Sequence, residues 1–250
     1  MSQTRIGART ERPELSLPPP FTAVRLRELG DAFAHAQSIA EESGAGTLVH
    51  VGRFDLSEFA LVLEPEEPLR IARRAFHAGM VALVDTLSAY AEPETSVAIG
   101  WPDAVTVNLG LVGGGRLAWP GAVSEDEVPP WLVFGGMVRV ASMSGVEPGL
   151  NPLSTALEEE GFDTAAAARV IEGFARHFMT ILDAWHEKGF AAVSKAYLQH
   201  LAPEPGVRRE IDENGDLLVT RMAVRAERKP LLAGLADPAW FDVTTGGPRL

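Results

Sequence analysis

The sequence predicts an α+β protein: a mixed, largely antiparallel β-sheet flanked by helices and followed by a small β-rich unit. The first observation is a run of strand-like segments over residues 96–141 with no helical pattern between them. The second is that helical patterns lie before and after this run rather than alternating with single strands. The third is a hairpin pattern after the proline-rich linker at 203–206.

The flanking helices are predicted by apolar residues at near-helical spacing. The first pattern is ended by a Ser-Gly-Ala-Gly stretch, and the second begins at a proline that suits a first helical turn. The third follows a capping Asp163 or Thr164 and ends at Gly189. The predicted ranges are 25–42, 68–90, about 164–189 and about 192–201.

The strands are predicted by short apolar runs bounded by turn residues. Two of them, TLVHV at 47–51 and EFALVLEP at 58–65, surround a loop that contains Gly52 and Arg53. Four more follow the second helix, and a polar, proline-containing loop separates the last two. Their sequences are SVAIGW, AVTVN, VGGGRLAW and WLVFGGMVRVA.

Three segments are predicted along the chain. Residues 1–20 end in three prolines and are expected to form a flexible tail. Residues 21–203 hold the predicted sheet and helices, and residues 204–250 form the small C-terminal β-rich domain. In that last segment VRREIDENGDLLVTRMAV predicts a hairpin with Asn214-Gly215 at its turn.

Composition excludes several classes of function. The formal net charge of −12 argues against nucleic acid as a partner, because phosphate binding needs a basic face. The longest apolar runs are too short to span a bilayer, and the first residues lack the layout of a secretion signal. No cysteine is present, which excludes disulfides, thiolate catalysis and cysteine-ligated metals. We therefore expect a cytoplasmic protein with neither a nucleic-acid nor a membrane partner.

Two glycine-arginine stretches remain as candidates for chemistry, Gly52-Arg53 and Gly113-Gly114-Gly115-Arg116. No P-loop, metalloprotease or nucleophile-elbow motif is present, and no histidine has a partner at metal-ligand spacing, so no metal site is predicted. Glycines let the backbone approach a ligand, and arginine offers a planar fork to a carboxylate or phosphate. The alternative is a bulged hairpin in which glycines only relieve crowding. Spacing alone leaves both interpretations open.

The order of WPDAVTVN, VGGGR and WLVFGGMVRVA resembles that of the biotin/lipoate–protein ligase superfamily. In that superfamily a Trp-Pro-Asn-Asp segment leads through a hairpin to Gly-x-Lys-x-(Ala/Gly)-Gly, and a later strand carries Gly-x-Gly-x-Asn. The segment WHEKGFAAVSKAYLQHL resembles the closing pair of helices, and REIDENGDLLV resembles the small appended unit. The resemblance covers residues 21–203 and, more loosely, the C-terminal unit, and it implies a class II synthetase-like sheet.

The resemblance implies that ATP with Mg²⁺ activates the carboxylate of biotin, lipoate or octanoate as an acyl-adenylate. The acyl group then passes to a lysine of a lipoyl- or biotinyl-acceptor domain, whereas a related branch transfers octanoate from a carrier protein without ATP. The residues that would carry the reaction are Arg116 and Asp103. Those that would bind the ligand are Gly52, Arg53, Trp101, Pro102, Asn108, Leu111, Gly113, Gly114, Gly115 and Gly135.

The sequence departs from the superfamily pattern at three places. The Gly-Arg-Gly-Arg loop is reduced to Gly52-Arg53. In the Trp-Pro-Asn-Asp segment Asp103 takes the third place and Ala104 the fourth, so the carboxylate of the fourth place is missing. Leu111 stands where the resemblance expects the active-site lysine, and leucine cannot neutralise an anion. Arg116 lies five residues further, on the opposite face of a regular strand. A bulge within the glycine triplet would restore the same face, so we predict this bulge and expect Arg116 or Arg53 to supply the cation.

Three functions stay open. The first is a divergent ligase or acyltransferase, and the second is an inactive family member that binds the cofactor, its adenylate or the acceptor domain, which Leu111 favours. The third assigns the glycines to packing alone. Asp103 could orient an amine or a ribose hydroxyl, or only cap the turn. Asn108 is expected to serve a turn and Trp101 to form a core wall.

Overall fold

The computed structural model describes residues 14–142, 153–163, 166–221 and 225–249. Its strands are β1 Thr22–Leu26, β2 Thr47–Val51, β3 Leu56–Leu63, β4 Val97–Gly100, β5 Ala104–Val107, β6 Gly110–Ala118, β7 Leu132–Arg139, β8 Val207–Ile211, β9 Leu217–Arg221, β10 Glu227–Lys229, β11 Phe241–Asp242 and β12 Gly247–Pro248. Its helices are α1 Ala32–Ser43, α2 Leu69–Ala72, α3 Ala75–Tyr90, α4 Ala166–Lys188, α5 Phe190–His200 and α6 Leu231–Ala236.

The main sheet has seven strands in the order β1-β2-β3-β7-β6-β5-β4. Strands β1 and β2 pair in parallel, and every other neighbouring pair in this sheet is antiparallel. A second, separate antiparallel sheet of β8, β9 and β10 lies near the C-terminus. The predicted α+β class, with its largely antiparallel sheet and small β-rich unit, is therefore confirmed.

Two of the predicted helices have different bounds. The helix expected over 25–42 begins only at Ala32, because Asp31 caps it by accepting a hydrogen bond from the backbone N–H of Ala34 (2.9 Å). The residues before it form the edge strand β1 instead. The helix expected over 68–90 is broken at Arg73 and Arg74 into α2 and α3. The predicted cap Thr164 lies outside the described residues.

The sheet has two differently covered faces. On one face α3, α4 and α5 pack against the main core, in which the Phe134 and Phe174 rings stack at 5.5 Å. The other face is called the α1 face here. On it, residues of β3, β7 and β6 that pair across the strands form two rows. The rows are Ala60–Gly135–Arg116 and Glu58–Met137–Gly114. Helix α1 covers the part of this face that belongs to β2 and β3.

The C-terminal unit wraps around the edge of the sheet. Its predicted hairpin is present, with Gly215 at φ +85° in the turn between β8 and β9. Leu217 and Val219 join the main core beneath α3 and α5. Helix α6 then packs closely on Pro102: a Cβ added at Gly234 would lie only 2.5 Å from the Pro102 Cγ. Residues 237–249 continue onto the α1 face, where Trp240 packs.

The N-terminal residues that the structure describes, 14–20, lie against the core rather than away from it. Leu15 and Leu17 pack on the main core, and the backbone N–H of Ser16 donates to Glu172 (2.8 Å). Residues 1–13 of the predicted tail are outside the described residues, and the division at 203–204 stays a prediction. None of the described helices is long and apolar enough to cross a membrane.

Gly135 allows close packing of α1, which gives a direct test of the fold. A Cβ at this position would lie 2.5 Å from Cδ2 of Phe33. We expect Gly135→Ala to lower the free energy of unfolding by about 1–3 kcal/mol in urea denaturation, because the added methyl overpacks the contact. Adding Phe33→Leu should recover part of the loss.

The matched control for this substitution is Gly121→Ala. A Cβ at Gly121 meets nothing within 4 Å, so the same change should cost little there. Equal losses for the two alanine variants would contradict the packing of α1 on β7.

Candidate functional site

The predicted bulge is present in β6, but at Val112 rather than within the glycine triplet. Val105 pairs with Gly113 and Thr106 with Leu111, so Val112 is the extra residue. It lies one residue before the triplet, and its apolar side chain is fully buried in the main core. The consequence for side-chain direction is the predicted one: Leu111 and Arg116 lie on the same face of the sheet.

Arg116 lies where the two covers of the α1 face meet. Its guanidinium carbon is 4.4 Å from the ring centroid of Phe33 on α1 and 4.4 Å from that of Phe241 in the C-terminal unit. Within the described ranges no carboxylate comes within salt-bridge distance of it. Burial lowers the pKa of this guanidinium, while the charges of Asp31 and Glu58 oppose the shift. The result is a partly buried cation in contact with two aromatic rings.

Glu58 links the two candidate cations, and the sequence did not single it out. Its carboxylate is 4% exposed and accepts a hydrogen bond from the backbone N–H of Ala32 at the start of α1 (2.8 Å). Burial raises the pKa of this carboxyl group, and the charges of Arg116 and Arg53 oppose the rise. The signal in the sequence is a single acidic residue at the start of an otherwise apolar strand.

Arg53 is committed to a different partner. Its Nε and Nη2 donate to the two carboxylate oxygens of Asp55 at 3.0 and 2.5 Å. This bidentate hydrogen bonding raises the pKa of Arg53 and lowers that of Asp55. The neighbouring Gly52 makes room for Arg25, because a Cβ at Gly52 would lie 2.8 Å from the Arg25 Nε. Of the two predicted cations, Arg116 is therefore the one whose nitrogens are not engaged by a carboxylate.

Trp101 and Pro102 are joined by a cis peptide bond and face the helical side of the sheet. The Trp101 ring packs on His77 and Tyr197, and the Tyr197 hydroxyl donates to the Pro102 carbonyl oxygen (2.6 Å). His77 is fully buried, and burial lowers its pKa to about 3, so its ring is neutral. Trp101 is thus a core wall, as expected.

Asp103 is buried, whereas a residue that only caps a turn is usually exposed to solvent. Its side chain is 2% exposed, and burial raises the pKa of its carboxyl group to about 7. Its backbone carbonyl accepts a hydrogen bond from the N–H of Gly115 (2.9 Å). The indole of Trp240 is close enough to favour the charged form, yet Asp103 Oδ2 and Trp240 Nε1 both lack a hydrogen-bond partner among the described residues. These two buried polar atoms are available to a third group.

The predicted ligand-lining glycines each make room for a side chain or backbone of the protein itself. A Cβ at Gly114 would lie 2.5 Å from Trp240 Nε1, and one at Gly115 would lie 2.5 Å from Met80 Sδ. At Gly113 a Cβ would clash with the carbonyl of Met137 on the neighbouring strand β7. Close packing therefore explains these glycines in this structure, and contact with a ligand stays a prediction.

Leu111 lies in an apolar cluster, and Asn108 lies in the turn between β5 and β6. Leu111 packs in an apolar cluster with Leu56, Met137 and Trp240. Asn108 takes φ +47° in the turn between β5 and β6, where its Oδ1 accepts a hydrogen bond from Ser96 N–H (3.0 Å). Arg116 lies toward the other end of β6, so Asn108 serves the turn, as expected, and does not join the site.

The described residues contain no group of three or more histidine, aspartate or glutamate side chains that could hold a metal ion. His50, next to the Gly52-Arg53 loop, is 8% exposed, and its pKa is lowered to about 4 by burial and by the charge of Arg25. The candidate site consists of Arg116, Glu58, Asp103 and the aromatic rings around them.

The chain matches the Biotin/lipoate A/B protein ligase family over residues 17–199. It belongs to this family. The comparison with curated proteins found no match. Residues 17–199 include every predicted site residue, among them Arg116, Asp103 and Leu111, so the family assignment and the candidate site concern the same domain.

Solved structures show the same fold. A biotin protein ligase-like protein of unknown function from Silicibacter sp. is 27% identical, with a TM-score of 0.76 over 90% of this chain and 100% of that one. The Aquifex aeolicus biotin protein ligase in complex with biotin and ATP is 15% identical, with a TM-score of 0.57 over 82% of this chain and 94% of that one. The Leishmania major biotin protein ligase in complex with biotin is 12% identical, with a TM-score of 0.56 over 84% and 98%.

The raised pKa of Asp103 predicts a pH-dependent stability. Its value of about 7 exceeds the ordinary 3.8, so the unfolded chain loses this proton first as pH rises. The contribution of Asp103 to the free energy of unfolding is therefore greatest below pH 3.8, falls as the pH rises, and is smallest above pH 7. We expect Asp103→Asn to gain unfolding free energy relative to the wild type between pH 4 and 7, by on the order of 1 kcal/mol per pH unit.

Urea denaturation at several pH values measures this difference. Asp183→Asn, on the exposed side of α4, controls for the amide substitution itself. Parallel pH profiles for the wild type and Asp103→Asn would show that Asp103 is ionised in the folded protein throughout.

Proposed function

We propose that this protein binds the carboxylate of biotin, lipoate or octanoate, or the adenylate formed from it, on the α1 face. We further propose that it attaches the acyl group to a lysine of an acceptor domain in the cytoplasm. The observation that carries the proposal is Arg116, a cation held between two aromatic rings and free of salt-bridge partners in the described part of the chain.

The chemistry of a small carboxylic acid fits this environment. A carboxylate that leaves water needs a cation, and a guanidinium already fixed in place loses little entropy when it binds one. The Phe33 ring on α1 offers apolar surface beside the charge for a ring or an aliphatic chain. Partial burial of Arg116 strengthens its attraction for an anion, because less water screens it.

ATP would bring a second anion to the site. When bound, ATP supplies the adenylyl group that activates the carboxylate. Arg116 would hold the two anions together, and Asp103 would accept a hydrogen bond from an amine or a ribose hydroxyl through its unpartnered Oδ2. Magnesium would enter with the phosphates, since the described residues offer no metal-holding group of their own. Support for ATP comes from the Aquifex aeolicus ligase, which is similar in fold and was solved with biotin and ATP.

The second candidate is a family member that binds the ligand or the acceptor domain without catalysing transfer. The position of Leu111 favours it. The chain contains three lysines, Lys188, Lys195 and Lys229, and none lies in the seven-stranded sheet. Within the described residues the seven-stranded sheet therefore places no lysine on the α1 face, and Arg116 is the cation that β6 places there.

Calorimetric titration with biotin, lipoate, octanoate and their adenylates tests the binding proposal. We expect at least one of these to bind the wild type, and Arg116→Ala to weaken it by roughly 10- to 100-fold, because a charge-assisted contact is lost. Arg208→Ala, which removes an exposed arginine paired with Glu210 on β8, is the matched control and should bind normally. Unchanged affinity in Arg116→Ala would move the site elsewhere.

The two candidate functions separate in an exchange assay. An active ligase catalyses ATP–pyrophosphate exchange that depends on the carboxylic acid, and the related carrier-dependent branch transfers octanoate without ATP. We expect exchange by the wild type to be lost in Arg116→Ala. Binding without exchange or transfer would favour the non-catalytic candidate.

A further inference from the structure

The last residues of the C-terminal unit, 237–249, are called the C-terminal segment here and lie on the α1 face. Trp240 is 1% exposed and lies directly against Gly114, in an apolar cluster with Leu56 and Met137. The next residue, Phe241, lies against the guanidinium of Arg116. The segment therefore occupies the surface that the proposed ligand needs.

A few hydrogen bonds hold the segment to the sheet. Arg139, at the end of β7, donates through Nη2 to the carbonyl oxygens of Pro248 (2.5 Å) and Arg249 (3.3 Å). Inside the segment, the backbone N–H of Arg249 donates to the Trp240 carbonyl oxygen (2.7 Å). One arginine side chain thus anchors the end of the segment, while the Trp240 ring anchors its beginning.

The seated segment leaves two buried polar atoms unsatisfied. Among the described residues, neither Nε1 of Trp240 nor Oδ2 of Asp103 has a hydrogen-bond partner. A buried polar group without a partner destabilises the arrangement that buries it. These two groups lie close to each other but do not form a hydrogen bond of good geometry, so the seated indole satisfies neither atom fully. Water or a ligand can hydrogen-bond to Asp103 once the indole moves.

We propose that the C-terminal segment is a displaceable cover of the ligand site, with the Trp240 indole in the place of the ligand's ring or chain. This inference rests on the proposed function. The Arg116 guanidinium contacts the Phe33 and Phe241 rings, each at 4.4 Å from its centroid, and Trp240 covers the surface over Gly114. Ligand and segment therefore compete, and the apparent affinity is the intrinsic affinity reduced by the fraction of open molecules.

Hydrogen–deuterium exchange of the ligand-free protein tests whether the cover opens. We expect the amides of Phe241, Gly246 and Arg249 to exchange through a local opening, faster than those of β6 and β7. Arg139→Ala should speed their exchange roughly tenfold, because it removes the charged anchor. Arg208→Ala should leave it unchanged. Exchange of the segment only together with β6 and β7, in every variant, would overturn the proposal.

The same measurement with biotin, lipoate and octanoate tests displacement. A probe that binds should speed exchange in residues 237–249, and Arg139→Ala should bind it up to roughly tenfold more tightly than the wild type. Slower exchange on binding would make the segment a fixed wall and overturn the cover alone. If no probe binds either variant, the proposed function fails and the displaced cover with it. Binding to Arg139→Ala but not to the wild type supports both.

Discussion

One extra residue in β6 determines which side chains share the candidate site. Because Val112 is inserted opposite the Val105–Thr106 step of β5, Leu111 and Arg116 lie on the same face although five positions separate them. Without the insertion the guanidinium would enter the apolar core between β6 and α3, where no compensating charge is described. The bulge instead brings the cation to the line where α1 and the C-terminal unit meet, near Asp31 and Glu58.

The glycines beside the bulge let three separate parts of the chain approach the sheet. Gly135 admits Phe33 of α1, Gly114 admits Trp240, and Gly115 admits Met80 of α3. Each contact is too close for a methyl group, so small residues are required whether or not a ligand binds. Packing and ligand binding are therefore not exclusive explanations: the smooth surface that receives an indole ring can receive another flat ring in its place.

The sequence predicted features that depend on neighbours along the chain and missed those that depend on distant ones. The fold class and the Asn214-Gly215 hairpin follow from local patterns of apolar and turn residues. The bulge was expected instead from the family resemblance, which places a cation on the face of Leu111. The helix predicted to begin at residue 25 failed because the spacing of Leu26 and Leu29 fits a helix, whereas the chain pairs as an edge strand and leaves Leu29 fully exposed.

The parts of the site that were missed come from elsewhere in the chain. Phe33 precedes Arg116 by more than 80 positions and Trp240 follows it by more than 120, so no short window contains the cluster. Glu58 was missed because an acidic residue at the start of a strand usually faces water, whereas here it is buried and caps α1. Arg53 and Asp55 are two residues apart in the sequence, but only the structure shows that they form an ion pair. This pair occupies the Arg53 guanidinium, so Arg53 is not the free cation of the site.

The leucine at position 111 and the tryptophan at position 240 are mutually dependent. In this structure Leu111 packs in the cluster that contains Trp240, Leu56 and Met137. A lysine there would bring an ammonium group against the indole in this partly buried cluster, and a charge removed from water is costly unless it is paired. A C-terminal segment seated on the α1 face therefore favours an apolar residue at position 111, and the cation that β6 places on this face lies further along the strand, at Arg116.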